Sequence, residues 1–263
     1  ALRRDGIAVV VPDAPEPPEV RLWQNSSRPS RAPPLLNRNQ AMVRSVAIED
    51  YVRAIYQLQQ RESPVATMAL ARRMRVAPAS ATGMLKRLHA LGLVAHEPYA
   101  GVTLTGAGER MALEVIRHHR LIETYLAEAL GVSWDQVHDE AHRLEHHISE
   151  ALEDRMAEVL GHPLRDPHGA PIPPKEGPFA PPVHRLLTEF GAGVRLVIRE
   201  VMDEDADRLR ALGRLGLRPD VVVTVLRAEP EEPTITLGLA DVADVSLILD
   251  RSLAATLWVE DLA

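Results

Sequence analysis

The sequence contains no cysteine. That excludes disulfides and thiolate metal sites, so any bound metal has to be held by nitrogen and oxygen ligands. It also suits a reducing cytoplasm. No run approaches the roughly 18 consecutive apolar side chains that span a membrane, and the N-terminal segment lacks the apolar stretch and cleavage site of a secretory leader. The expectation is a cytoplasmic protein with no membrane partner. What is present is a chain of 263 residues with 46% hydrophobic content, enough to bury a core divided over two or three domains.

Charge is spread unevenly. Residues 1–110 carry 15 Lys and Arg against 9 Asp and Glu, whereas residues 111–263 carry 15 against 28, and the total is −7. A duplex presents dense negative charge, so a basic module on an acidic body fits nucleic-acid contact through one end. Residues 1–43 hold seven prolines among scattered arginines and no sustained apolar period, the composition of a disordered tail.

Order begins where the periodicity does. Val46, Tyr51, Val52, Ile55, Tyr56 and Leu58 recur at helical spacing up to about Arg61. Pro64 is expected to open a second helix through Met68, Leu70, Ala71 and Met74, and Pro78 a third through Met84, Leu85, Leu88 and Leu91, stopped by Gly92. Leu93–His96 and Val102–Leu104 flank a turn over Glu97–Gly101, and Thr105 suits a helix cap. Helix, turn, helix and hairpin in this order describe a winged helix-turn-helix, whose third helix enters the major groove of double-stranded operator DNA. Ser80, Thr82 and Lys86 are the candidates for bases and phosphates, with Arg87 and Arg72 on the backbone.

Residues 109–130 and 134–160 read as two longer helices, followed by eight prolines between Pro163 and Pro182 that read as a linker too irregular to pack. Strands are expected at 194–201, 221–226, 235–239, 245–249 and 257–259, with a helix at 205–215, making a small β-rich domain.

Six of the 11 histidines lie between His118 and His147. His138, His142, Glu145 and His146 fall on one helical face, and His119 with Glu123 repeats the i, i+4 spacing on the preceding helix. Burying so many imidazoles and carboxylates together is costly unless each finds a partner. A divalent cation satisfies them jointly, and this donor set favours Mn, Fe, Co or Zn. The other histidines, at 89, 96, 118, 147, 162, 168 and 184, read as surface or satisfied core residues. The rival reading is a zinc metallopeptidase, because His142-x-x-Glu145-His146 matches the inverted H-x-x-E-H signature. Such an enzyme needs a further carboxylate ligand and a large catalytic domain, whereas a proline-rich segment and a small β domain follow. The expectation is therefore not an enzyme.

Four stretches, Glu49–Tyr56, Arg117–Glu123, Val137–His146 and Gly169–Pro173, resemble the diphtheria toxin repressor, iron-dependent regulator and manganese transport regulator family. The resemblance implies a mainly α protein: a winged helix-turn-helix over 44–110, a helical metal-binding and dimerisation domain over 111–162, a proline-rich linker over 163–182 and a small SH3-like C-terminal domain over 183–263. It implies a homodimeric repressor of metal-homeostasis genes with metal as corepressor. By position, Asp50, His142, Glu145 and His146 would form the primary metal site, and His119, Glu123 and His138 an ancillary one. Glu204, Asp205 or Asp207 would add a carboxylate to the latter, Asp205 first among them. The iron-responsive branch has methionine at Asp50 and cysteine at His142. Two harder ligands in their place point to Mn(II), with Fe(II) the other candidate. The binuclear manganese branch has glutamates at Arg53 and His142, and an arginine cannot ligate. Gly83 stands where a familiar member has glutamine, so the operator sequence does not transfer.

Overall fold

The computed structural model describes residues 45–97, 101–202, 205–240 and 246–262. The expected tail over 1–43, the turn residues 98–100, Glu204 and Val245 lie outside the described residues.

Helix α1 (Val46–Gln59) buries Ile48, Tyr51, Val52 and Ile55 along one face. Helix α2 (Thr67–Arg73) contributes Leu70. Helix α3 (Pro78–Ala90) has proline in its first turn, where the missing N–H costs nothing, and turns Ala81, Leu85 and Leu88 inward. Strands β1 (Val94–Glu97) and β2 (Gly101–Leu104) pair antiparallel, Val94 opposite Leu104, to form the wing. Pro64 does not open α2 as expected. The backbone of the next residue is taken by the wing, since Val65 and Val102 exchange two N–H···O bonds of 2.9 Å, and the helix starts only at Thr67.

Thr105 caps the long helix α4 (Gly106–Glu128), its hydroxyl accepting from the Gly108 amide at 3.2 Å. The single helix expected over 134–160 is two, α5 (Val137–Leu144) and α6 (Glu150–Val159). Ser149 is the cause: its side chain accepts from the Leu152 amide and starts a new helix there.

The segment after α6 corrects the expectation of an unpacked linker. Asp166 Oδ1 accepts from the amides of His168 and Ala170 at 2.8 and 3.0 Å, and Ala170 and Ile172 are buried. Arg117 and Arg120 of α4 donate to the carbonyls of Pro173 and Pro171. Side chains thus satisfy a backbone that prolines keep out of regular structure. Gly169 lies at φ +88°, and a Cβ there would fall 2.0 Å from the Arg199 carbonyl oxygen, so only glycine fits.

The remainder is a six-stranded antiparallel sheet in the order β3-β8-β4-β5-β6-β7, built from β3 (Arg185–Leu186), β4 (Arg195–Val201), β5 (Val222–Arg227), β6 (Thr234–Leu239), β7 (Ser246–Asp250) and β8 (Leu257–Asp261). Helix α7 (Ala206–Arg214) and the short α8 (Arg251–Ala254) accompany it. Alternate residues of β4, β5 and β6 (Leu196, Ile198, Val223, Val225, Ile235 and Leu237) bury against Leu209 and Leu212 of α7. Trp134, from the α4–α5 connection, joins this core. A Cβ on Gly213 would stand 2.9 Å from the Trp134 indole nitrogen, so a bare backbone on α7 is what admits the ring.

Candidate metal centres and DNA-facing surface

The primary set is assembled from two regions. Asp50 sits on α1 of the winged domain, His142 in the last turn of α5, and Glu145 and His146 just beyond it. One donor atom from each of the four lies within 4.8 Å of the others. His142 Nδ1 is 2.7 Å from Glu145 Oε1, and His146 Nε2 is 3.2 Å from both Glu145 Oε1 and Asp50 Oδ1. Asp50 Oδ1 and His146 Nε2 are buried and neither makes a hydrogen bond of acceptable geometry. Two buried polar atoms that face each other without a bond are what a cation between them would satisfy. The donors therefore fit a nitrogen- and oxygen-liganded ion.

The second set is tighter. His119 Nε2 lies 2.9 Å from Glu123 Oε1 and 3.0 Å from His138 Nδ1, which is itself 3.0 Å from the same oxygen. The two sets share Glu145, whose Oε1 faces His142 while its Oε2 meets His119 Nδ1 at 2.6 Å.

Burial opposes charge on His119, but Glu123 and Glu145 outweigh it and raise its pKa to about 9. His146 behaves alike, with Asp50, Glu145 and Glu49 overcoming burial to bring it to about 11. Burial of Glu145 is in turn outweighed by the bond from His119, by the nearby His146 imidazole and by the charge of Arg53, so its carboxyl stays ionised far below the usual range. Opposite charges placed side by side, each favouring the other's ionised form, are the common cause.

Sequence reasoning passed over further converging donors, among them two beside the ancillary set. Asp166 and His168 come with Glu123 into a third group of converging donors, all three buried. His168 Nδ1 is 3.8 Å from Glu123 Oε2, and its other nitrogen is 2.7 Å from the Trp134 carbonyl oxygen. Burial and the Glu123 charge lift the Asp166 carboxyl to about 7. The available signal was the Asp-x-His spacing directly before Gly169, masked by the surrounding prolines. Asp205 is placed elsewhere: its Oδ1 accepts from the amides of Asp207 and Arg208 as the cap of α7, and it is in none of the converging groups among the described residues. Asp207 pairs with Arg210.

Ser80, Lys86 and Arg87 are exposed on α3, and Arg72 on α2. Thr82 is half-buried and donates its hydroxyl to the Pro78 carbonyl at 2.9 Å, which leaves its oxygen only as an acceptor. In the peptidase motif Glu145 is 1% exposed and both oxygens are engaged by Arg53 and the imidazoles, so it has no face for a substrate water. No described helix is long and apolar enough to cross a membrane.

A winged helix-turn-helix tied through histidine and carboxylate donors to a helical centre defines the class of metal-dependent DNA-binding regulators. The comparisons agree. Family models for the iron dependent repressor N-terminal DNA binding domain, its metal binding and dimerisation domain, and the FeoA domain match residues 45–102, 105–174 and 185–261 in turn. The iron-dependent repressor IdeR of Mycobacterium tuberculosis is 33% identical over 190 residues, 67% of this chain and 82% of its own. The diphtheria toxin repressor of Corynebacterium diphtheriae is 30% identical over 81% of this chain and 96% of its own. A solved manganese-dependent transcriptional repressor in complex with manganese is 35% identical, covering 81% of this chain and 99% of its own, with a TM-score of 0.76. The chain belongs to the iron-dependent repressor family of metal-dependent transcriptional regulators.

Proposed function

We propose that the protein is a homodimeric repressor that binds operator DNA when Mn(II), or as the second candidate Fe(II), is held by Asp50, His142, Glu145 and His146. The observation that carries this reading is the reach of the primary set: Asp50 belongs to the DNA-binding domain, and the other three ligands to the metal-binding region. An ion held there fixes one against the other, and with it the spacing of the two α3 helices in a dimer. Metal and DNA then raise each other's affinity, by about 1–3 kcal/mol for ordinary coupling.

His119, Glu123 and His138 would hold the ancillary ion, with Asp166 and His168 in reserve on its far side. The absence of sulfur and the carboxylate content favour Mn(II) over softer ions. Arg72, Lys86 and Arg87 would hold phosphates, and Ser80 and Thr82 would face bases or backbone. The protein acts as a cytoplasmic regulator and not as an enzyme.

The test is anisotropy of labelled promoter DNA from metal-uptake genes, in chelator and then with Mn(II), Fe(II), Co(II) or Zn(II) added singly. Binding is expected only with metal, Mn(II) or Fe(II) ranking first at cellular concentrations. Equal affinity in chelator and in every metal would overturn the corepressor reading.

A further inference from the structure

The primary set already holds a cation, and it belongs to the chain. Arg53, one turn after Asp50 on α1, places Nη1 2.8 Å from both carboxylate oxygens of Glu145. Its Nη2 is 3.2 Å from His142 Nδ1 and 3.6 Å from Asp50 Oδ1. One guanidinium thus touches three of the four proposed ligands, and its carboxylate partner is fully buried while Arg53 itself is 17% exposed. Nη1 alone is shared between both oxygens of a buried carboxylate, a charge-assisted contact stronger than a hydrogen bond between neutral groups. A guanidinium does not lose its proton in a protein, so the contact ends only by rotation of the side chain.

We infer that Arg53 is a resident counter-cation of the primary site, which a metal ion must displace, and that it thereby sets the metal concentration at which the protein responds. This rests on the function proposed above. Ligation needs the carboxylate of Glu145, and the guanidinium sits on both of its oxygens with its other nitrogen against the His142 ring. A divalent ion and a guanidinium on the same oxygen would repel strongly in a site sheltered from water. Metal therefore binds only the fraction of molecules in which Arg53 has swung out, and its apparent affinity falls by that fraction. The path outward exists, because Arg53 is partly exposed and His142 has 47% of its side chain open to solvent.

The experiment is calorimetric titration of the full chain with Mn(II), carried out in a His138→Ala background so that the primary site dominates the signal. Asp50→Ala identifies that signal by abolishing it. Arg53→Gln and Arg53→Met keep most of the side-chain volume, and melting curves in chelator establish that each folds. Both are expected to bind Mn(II) at least about tenfold more tightly than the parent, and Arg53→Lys, which keeps the charge but lacks the second nitrogen that reaches His142 and Asp50, to fall between. Unchanged or weaker binding by the folded Gln and Met variants, with the parent still binding Mn(II), would refute the role of Arg53 and leave the metal centre standing. Failure of parent and variants alike to bind Mn(II), Fe(II) or Co(II) would remove both.

Discussion

Glu145 is shared property. One oxygen serves the primary set and the other meets His119 of the ancillary set, so its loss should be felt at both. Glu145→Ala is expected to abolish metal-dependent operator binding and to weaken the ancillary site as well, with melting curves in chelator to check that the variant folds. Metal stoichiometry by equilibrium dialysis checks this, and two ions still bound at wild-type affinity would contradict it. Protons enter the same account. His119 and His146 have pKa values raised to about 9 and about 11, above that of a free imidazole, so both are imidazolium at pH 7 without metal. A metal needs the neutral ring, so each ion must expel a proton, and affinity should rise toward pH 9 by up to about tenfold per pH unit for each proton. Titration calorimetry in two buffers of different ionisation enthalpy reads the proton count, and zero would be the contrary result. For the metal-free protein the sign is opposite. A raised histidine pKa contributes stability below about 6.5 that is lost as pH rises through the folded value, so the chelated protein should melt lower at pH 9 than at pH 7. At this scale the i, i+4 and i+7 spacing made six of the converging donors legible in advance. Arg53 was legible only as a non-ligand, since a sequence shows what a residue cannot bind and not what it sits beside.

Helix α3 is the element proposed to meet DNA, and its two faces would have different tasks. Leu85 and Leu88 are fully buried, so Leu88→Ala should cost about 2–5 kcal/mol of stability, read as a lowered denaturation midpoint. Lys86 and Arg87 are exposed. Replacing either with alanine should leave stability nearly unchanged, weaken operator binding and reduce the slope of log affinity against log salt by about one for each phosphate no longer neutralised. An unchanged salt slope for the double variant would place the DNA on another face. Elements with strong periodicity and proline or glycine punctuation, α1, α3 and the strands β4 to β8, were readable from sequence to within a few residues. Two were not. The Glu145–Ser149 break is invisible to periodicity because the apolar pattern continues through it, and Val65 behaves as a strand residue only because Val102 lies across from it in the fold.

For the molecule as a whole, the decisive contact is Trp134. It belongs to the metal-binding region by sequence but is buried in the core of the C-terminal domain, with the Arg218 guanidinium 4.8 Å from its ring. Trp134→Ala should cost about 3–5 kcal/mol and uncouple the two regions, seen as two melting transitions in place of one. A single transition at the parental temperature would show that the domains are held by other contacts. No local pattern announced this, because a lone tryptophan after a glycine turn reads the same whether it packs on its own domain or on a distant one. The contact has an optical consequence. The Trp134 indole stacks on His168 at 5.5 Å, and His168 leans on Glu123 of the ancillary set. Protonated imidazole quenches indole emission and neutral imidazole does so far less. Any event that moves charge onto or off that ring therefore alters light from a residue outside the ligand set. With Trp258 replaced by phenylalanine to lower the background, a change in emission on adding Mn(II) is the expected outcome, and an unchanged spectrum would show that loading leaves the His168 charge as it was.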